Sequence, residues 1–280
     1  MNQKLIRISQ PLIQELKKLS EIKAIVFYGS LGSGYADKYS DIDILCYCTR
    51  IPKPQIRVDL LRKLKVKKKN YVTNVNVFWF KNKDFTLWFK PIKEIQILLN
   101  RFSKKDSWCQ NDIDTYIDKT KIIYDPKGLL KKWKNKIKYP EWMQKRIIND
   151  IQFIHSIFEF SEKAVERKNY VWIDKLLEDR IEVLIKIIYS LNKEYYSTQK
   201  WFFKDIKKFK IKPKNCLNRI KKIKNLDNRK QLIKKLTLLN NFCEDLYKLC
   251  KRKYPEFKPA YDYKQRKQII KRIKNLVKKK

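Results

Sequence analysis

The sequence predicts two architectures in series, an α/β domain built on a small mixed β-sheet and then an all-helical bundle. Two observations carry this. Runs of β-branched and aromatic residues with strand periodicity are confined to the first ninety or so residues. From Glu141 onward the apolar positions repeat at helical spacing instead.

Taken in order, Leu5, Ile8, Leu12, Leu16 and Leu19 mark one face of an amphipathic helix over residues 5–20. AIVFYG reads as a short buried strand that stops at Gly29. DIDILCYC is a second strand, with Asp41 and Asp43 on one face and Ile42, Ile44 and Cys46 on the other, since side chains alternate along a strand. IPKP breaks it, and QIRVDLLRKLK is a short helix. YVTNVNVFWFKNKDFTLWFKPIKEI gives two β-rich runs joined at Lys81-Asn82-Lys83, an antiparallel hairpin. YDPKGLL places Gly128 in a turn. The helical period then runs through Ile147, Ile151, Ile154 and Phe158, and again through Ile173, Leu177, Ile181, Leu184, Ile188 and Leu191. A further long helix is expected over about Asp227 to Lys253, and YKQRKQIIKRIKNLVKKK reads as a basic amphipathic helix or a frayed tail. The expected domains are residues 1–105, a connecting segment at 106–140, and a helical domain with a basic tail at 141–280.

Composition narrows the chemistry. Six cysteines form no C-x-x-C pair and the single histidine, His155, offers no zinc set, so buried reduced thiols are expected. One histidine in a helix also argues against a Ser-His-Asp or Cys-His mechanism. No apolar run approaches the roughly 20 residues of a membrane span, and the N-terminal stretch lacks a continuous apolar signal region. A soluble cytoplasmic protein without a membrane partner is expected. The formal net charge is +39, unevenly spread: residues 1–50 carry seven Lys or Arg against five acids, residues 201–280 carry 28 against six. That C-terminal excess suits RNA or another polyanion, and codon bias towards lysine would produce a similar total.

The chain has four glycines, and Gly29, Gly32 and Gly34 fall within six positions, directly ahead of Asp41 and Asp43. A dinucleotide fingerprint fails because Asp37 stands where its third glycine belongs, and a Walker A loop fails because Tyr35-Ala36 replaces its Lys-Ser/Thr. The spacing that fits is Gly-Ser, ten residues, then Asp-x-Asp among apolar neighbours. A glycine at a strand end lets backbone approach a phosphate, Ser30 adds a hydroxyl, and two carboxylates two apart on a strand share a face on which divalent cations can be gripped. Without a cation such a pair repels. Phosphate donors beside metal ligands are what phosphoryl-type transfer requires.

These residues resemble the signature of the DNA polymerase β-like nucleotidyltransferases, with a closer likeness to stand-alone prokaryotic members related to the aminoglycoside and lincosamide nucleotidyltransferases. The resemblance implies that Gly29 and Ser30 bind the nucleotide phosphates and that Asp41 and Asp43 act catalytically by holding Mg²⁺, two ions in all, with an NTP such as ATP as donor. It also implies a third carboxylate on a later strand. Alternation puts that position at Thr86, with Asp84 two residues earlier on the same face and Asn76 on the partner strand as substitutes. Some relatives draw a base and a nucleotide-contacting lysine from the helical domain, which points to Glu182 and Lys186, one stripe with Asp179. The same i, i+4 spacing is that of an ordinary exposed helix bridge. Two functions follow: an Mg-dependent enzyme moving a nucleoside monophosphate onto a hydroxyl of a small molecule, an RNA 3′ end or a protein, or an inactive nucleotide- or RNA-binding module using its basic helices.

Overall fold

The computed structural model describes residues 2–66, 69–72, 74–150, 156–196, 198–226, 228–258 and 262–278. They divide into two units, Met1–Lys138 and Tyr139–Lys280. His155, Ile151 and Ile154 lie outside the described residues.

In the first unit, α1 (Asn2–Lys17) leads to β1 (Ile22–Phe27), a single helical turn α2 (Gly29–Gly32), β2 (Ile42–Cys48), α3 (Pro54–Lys63), and the strands β3 (Lys69–Val72), β4 (Val75–Phe80) and β5 (Lys83–Pro91). Then come α4 (Ile92–Ser103), α5 (Gln110–Ile113) with a π-turn at Asp114–Asp118, β6 (Lys121–Tyr124) and α6 (Leu129–Lys136). The sheet order is β3-β4-β5-β2-β1-β6, with β2 and β5 parallel and the other neighbours antiparallel. The mixed sheet with helices is the expected α/β architecture.

Strand alternation sorts the side chains. Ile25, Phe27, Ile42, Ile44, Cys46, Phe85, Leu87 and Phe89 face one way and pack with Leu5, Leu12, Ile13 and Leu16 of α1 and Leu60 and Leu61 of α3. Each such side chain contributes about 1.5–3 kcal/mol by leaving water. Asp43, Thr86 and Val77 face the other way.

Three elements differ from the expectation. The run YVTNVNVFWF is two strands, not one, and β3 folds back onto β4 with Val72 opposite Val75. KIIY, in a stretch with no anticipated strand, is β6 and pairs with the outer edge of β1. The segment 106–140, expected as a connector, thus supplies a strand to the sheet and belongs to the first unit as far as Lys138. The β4–β5 turn is where expected: Lys81 and Asn82 both have positive φ (47° and 60°), the geometry of a tight hairpin. Gly128 also sits in its turn at φ 64°, and Asp125 caps the following helix by accepting from the Leu129 and Leu130 amides at 2.7 and 2.9 Å.

The second unit is helical: α7 (Glu141–Asn149), α8 (Ser156–Glu166), α9 (Tyr170–Leu191), α10 (Phe202–Lys208), α11 (Cys216–Lys224), α12 (Asn228–Lys253) and α13 (Tyr263–Lys278). The C-terminal stretch is a packed helix rather than a frayed tail, because Ile269, Ile270 and Ile273 are buried. Arg266 is wholly buried between α12 and α13, with Nε donating to Asn240 Oδ1 at 2.5 Å and Nη2 meeting Glu244 at 3.0 Å. Lys264, Lys267, Lys271, Lys274 and Lys278 line the exposed side of α13. All six cysteines are buried and free, and burial pushes the Cys243 and Cys250 thiols up to about 12. Among the described residues no helix is long and apolar enough to cross a membrane.

Candidate functional site

The site grows out of the junction between β1 and β2. Phe27 ends β1, and Tyr28 continues far enough for its amide to donate to the Asp43 carbonyl at 3.1 Å. The next residue must turn away at once. Gly29 does so at φ 57°, and a Cβ there would stand 2.4 Å from Asp43 Oδ2. Only a residue without a side chain allows main chain and carboxylate to come this close. At Gly32 a Cβ would meet the carbonyl oxygens of Lys119 and Phe27 at 2.6 and 2.7 Å. The two glycines therefore let a one-turn helix lie flat between the acid-bearing strand and the segment before β6.

Ser30, on that turn, is 2% exposed, and its Oγ has no hydrogen-bond partner. Such a hydroxyl normally finds a partner when buried. The loop that follows is ordered by its own side chains. Asp37 Oδ1 accepts from the Tyr39 amide at 3.0 Å and from Ser40 Oγ at 3.1 Å, while Ser40 Oγ accepts from the Asp37 amide at 2.9 Å. Lys83 Nζ ties the loop to the start of β5, donating to the carbonyls of Lys38 and Ser40 at 3.0 and 3.4 Å. This clamp delivers Asp41 to the mouth of β2. Nothing in the sequence marked Lys83, because its partners are main-chain atoms 43 and 45 residues away.

Asp41 and Asp43 are both half-buried. Tyr28 reports their proximity: burial, then the charges of Asp43 and Asp41, raise its phenol far above the usual range, so it stays protonated. Thr86 stands directly opposite Asp43 in the parallel β2–β5 register, the position expected for a third acid. Asp84 is exposed and faces Trp79 across the hairpin. Among the described residues no three acid, thiol or imidazole side chains are grouped to hold one metal. Asn76 is not near the pair. It lies opposite Leu87 rather than Thr86, so it points into the core, 0% exposed, where its Oδ1 accepts from Arg57 Nη1 at 3.3 Å.

An aromatic group that sequence reasoning missed borders the acids on the same face. Trp88, one row along from Thr86, makes edge contacts with Tyr28 (6.3 Å between centroids) and Tyr116 (5.5 Å). Lys90 Nζ lies 4.3 Å from the Tyr116 ring centroid and bridges to Glu94 at 3.0 Å. Tyr116 comes from the π-turn, and its hydrogen-bonded neighbour Tyr47 packs against Trp133.

In the second unit, Glu182 bridges Lys186 at 2.9 Å along α9, with Lys186 also 5.5 Å from the Tyr196 ring centroid. Asp179 pairs with Lys175 instead. The stripe is thus made of i, i+4 bridges.

Residues 10–104 match the family described as polymerase beta, nucleotidyltransferase, and residues 111–202 match a domain of unknown function, DUF4037. No curated protein matches the chain. Among solved structures it is similar to a nucleotidyltransferase-like protein from Exiguobacterium sibiricum 255-15, at 9% identity and a TM-score of 0.39, over 98% of this chain and 74% of that one. The glycine turn, the acid-bearing strand and strands β1 to β5 fall within the first match, and these residues are similar to the polymerase β-like nucleotidyltransferases.

Proposed function

We propose that the chain transfers a nucleoside monophosphate from an NTP, with ATP as the proposed donor, to a hydroxyl acceptor. The observation that carries this is the close approach of the Gly29 main chain to the Asp43 carboxylate, which sets the α2 turn directly beside the proposed metal-ligand pair. The partnerless Ser30 hydroxyl and the two same-face carboxylates fit a divalent cation and its phosphates. Asp41 and Asp43 would hold Mg²⁺, which when bound neutralises the triphosphate and supports the leaving oxygen.

The remaining work falls to this chain's own groups. The α2 turn orients the phosphates, and Tyr28, kept protonated, can donate a hydrogen bond at the edge of the pair. The acceptor oxygen attacks the α-phosphorus and forms the new P–O bond. The bond from that phosphorus to its bridging oxygen breaks, and pyrophosphate leaves with the electron pair. With threonine at position 86, the hydroxyl proton passes through a water to Asp84, the exposed acid on the same face, and then to solvent.

The test is transfer of α-³²P label from NTPs with Mg²⁺ or Mn²⁺ into an extract separated into RNA, protein and small metabolites. Asp41→Asn/Asp43→Asn is expected to lower incorporation by about three orders of magnitude, the scale of several kcal/mol of charge stabilisation. A second reading, an inactive nucleotide-binding module that engages RNA through its basic helices, draws support from Thr86 and from the exposed lysines of α13. Intact NTP binding with no label in any fraction would select it.

A further inference from the structure

In-line transfer fixes the side from which an acceptor must come. Gly29 and Ser30 lie on the β1 side of Asp43, so pyrophosphate departs there and the attacking hydroxyl arrives across β5. The register describes what it crosses. Asp43, Thr86 and Val77 form one row over β2, β5 and β4, and Asp84 and Trp79 form the next row outward. Strands are about 4.8 Å apart, so Val77 stands roughly 10 Å from Asp43.

This part of the face is open. Val77 is 43% and Trp79 37% exposed, whereas Trp88 in the next row inward is packed between Tyr28 and Tyr116. The loop clamped by Lys83 brings a second ring to the same end of the sheet. Tyr39 is 83% exposed, with Lys38 Nζ 4.8 Å from its centroid. Lys38, Lys81 and Lys83 stand at this end of the sheet.

We infer that this end of the sheet accepts the 3′ end of a single-stranded RNA. The inference rests on the transferase reading above and adds the acceptor to it. Exposed rings interleaved with lysines form a stacking platform that any base satisfies, while the lysines take the phosphates. A polycationic small acceptor would meet these lysines unfavourably, and a protein hydroxyl needs no pair of bare rings. In the reaction the ribose 3′ oxygen bonds to the α-phosphorus, its proton leaves by Asp84, and the RNA gains one nucleotide as pyrophosphate is released.

The test uses the full chain with Mg²⁺, α-³²P-ATP and a twelve-nucleotide unstructured RNA, alone and added to a whole extract separated into RNA, protein and small metabolites. Label is expected in the RNA and not in the same RNA ending in a 3′-phosphate. Tyr39→Ala/Trp79→Ala should raise the KM for RNA about thirtyfold or more, the loss of two stacked bases, with the KM for ATP unchanged. Trp79→Phe in place of Trp79→Ala should recover most of the loss. An unchanged KM for RNA in the double variant would overturn the platform. Label found only in small metabolites or protein would overturn the RNA acceptor and leave the transferase reading standing. No label dependent on Asp41 and Asp43 in any fraction would overturn both.

Discussion

Asp43 and Glu182 are both partly exposed carboxylates on regular elements, and their surroundings differ in kind. Asp43 is met by bare backbone, with the Cα of Gly29 so near that a methyl group would collide with the carboxylate. Glu182 is met by the tip of a flexible lysine, the two side chains being 37% and 31% exposed. The first arrangement constrains several residues at once: a glycine, a buried hydroxyl, a clamped loop and a strand register. The second asks only for opposite charges one turn apart, and such bridges contribute a few tenths of a kcal/mol. Sites built for chemistry are recognised by the exclusion of alternatives around a charge, and the charge alone says little.

The contrast can be broken most sharply at Gly29. Gly29→Ala should lower label transfer by about a hundredfold, the cost of displacing reacting groups by an ångström. Thermal melting should show a loss of about 1 kcal/mol or more from the positive φ. Gly32→Ala, whose methyl would press on two carbonyl oxygens, should act mainly on stability, by about 1–3 kcal/mol. A next test sharpens the acid side. Thr86→Asp places a third carboxylate in register with Asp43 and should tighten Mn²⁺ binding by about tenfold in calorimetry. The same variant without metal should melt lower, since three like charges then share one face.

Smaller effects follow further out. Lys83→Met releases the loop that delivers Asp41. Its expected signature is a few-fold weaker metal and nucleotide binding with little change in melting temperature, because the bonds lost are exposed or only part-buried. Smallest of all, Glu182→Gln and Lys186→Met should each shift stability by about 0.5 kcal/mol or less and leave the KM for ATP unchanged. A tenfold rise in that KM would move α9 into the site.

The acid-bearing strand was legible because its cues are local. Gly29, Ser30, Asp41 and Asp43 announce a turn and a same-face pair by spacing alone, and alternation along KDFTLWF was enough to put Thr86 opposite the pair. Asn76 was misplaced because a strand's facing depends on register with its neighbour, and one residue of offset moves a side chain to the opposite face. β6 escaped notice because three apolar residues in a lysine-rich segment have no period of their own; pairing with β1 decides their state. The break between β3 and β4 carries neither glycine nor proline, so the run read as one strand. Lys83, Trp88 and Tyr116 acquire meaning only through partners distant in the chain.

The sheet order has a consequence for how the protein is made. β1 is flanked by β2, which follows it at once, and by β6, which leaves the ribosome about a hundred residues later. Once β5 has emerged, one edge of an apolar strand stays unpaired while some 30 further residues are added, roughly two to six seconds at ordinary elongation rates. The Lys119 carbonyl that packs on Gly32 arrives with the same segment. The nascent chain therefore acquires its acids early and the packing of its α2 turn late, and a pause in translation before residue 121 prolongs the exposure of that edge.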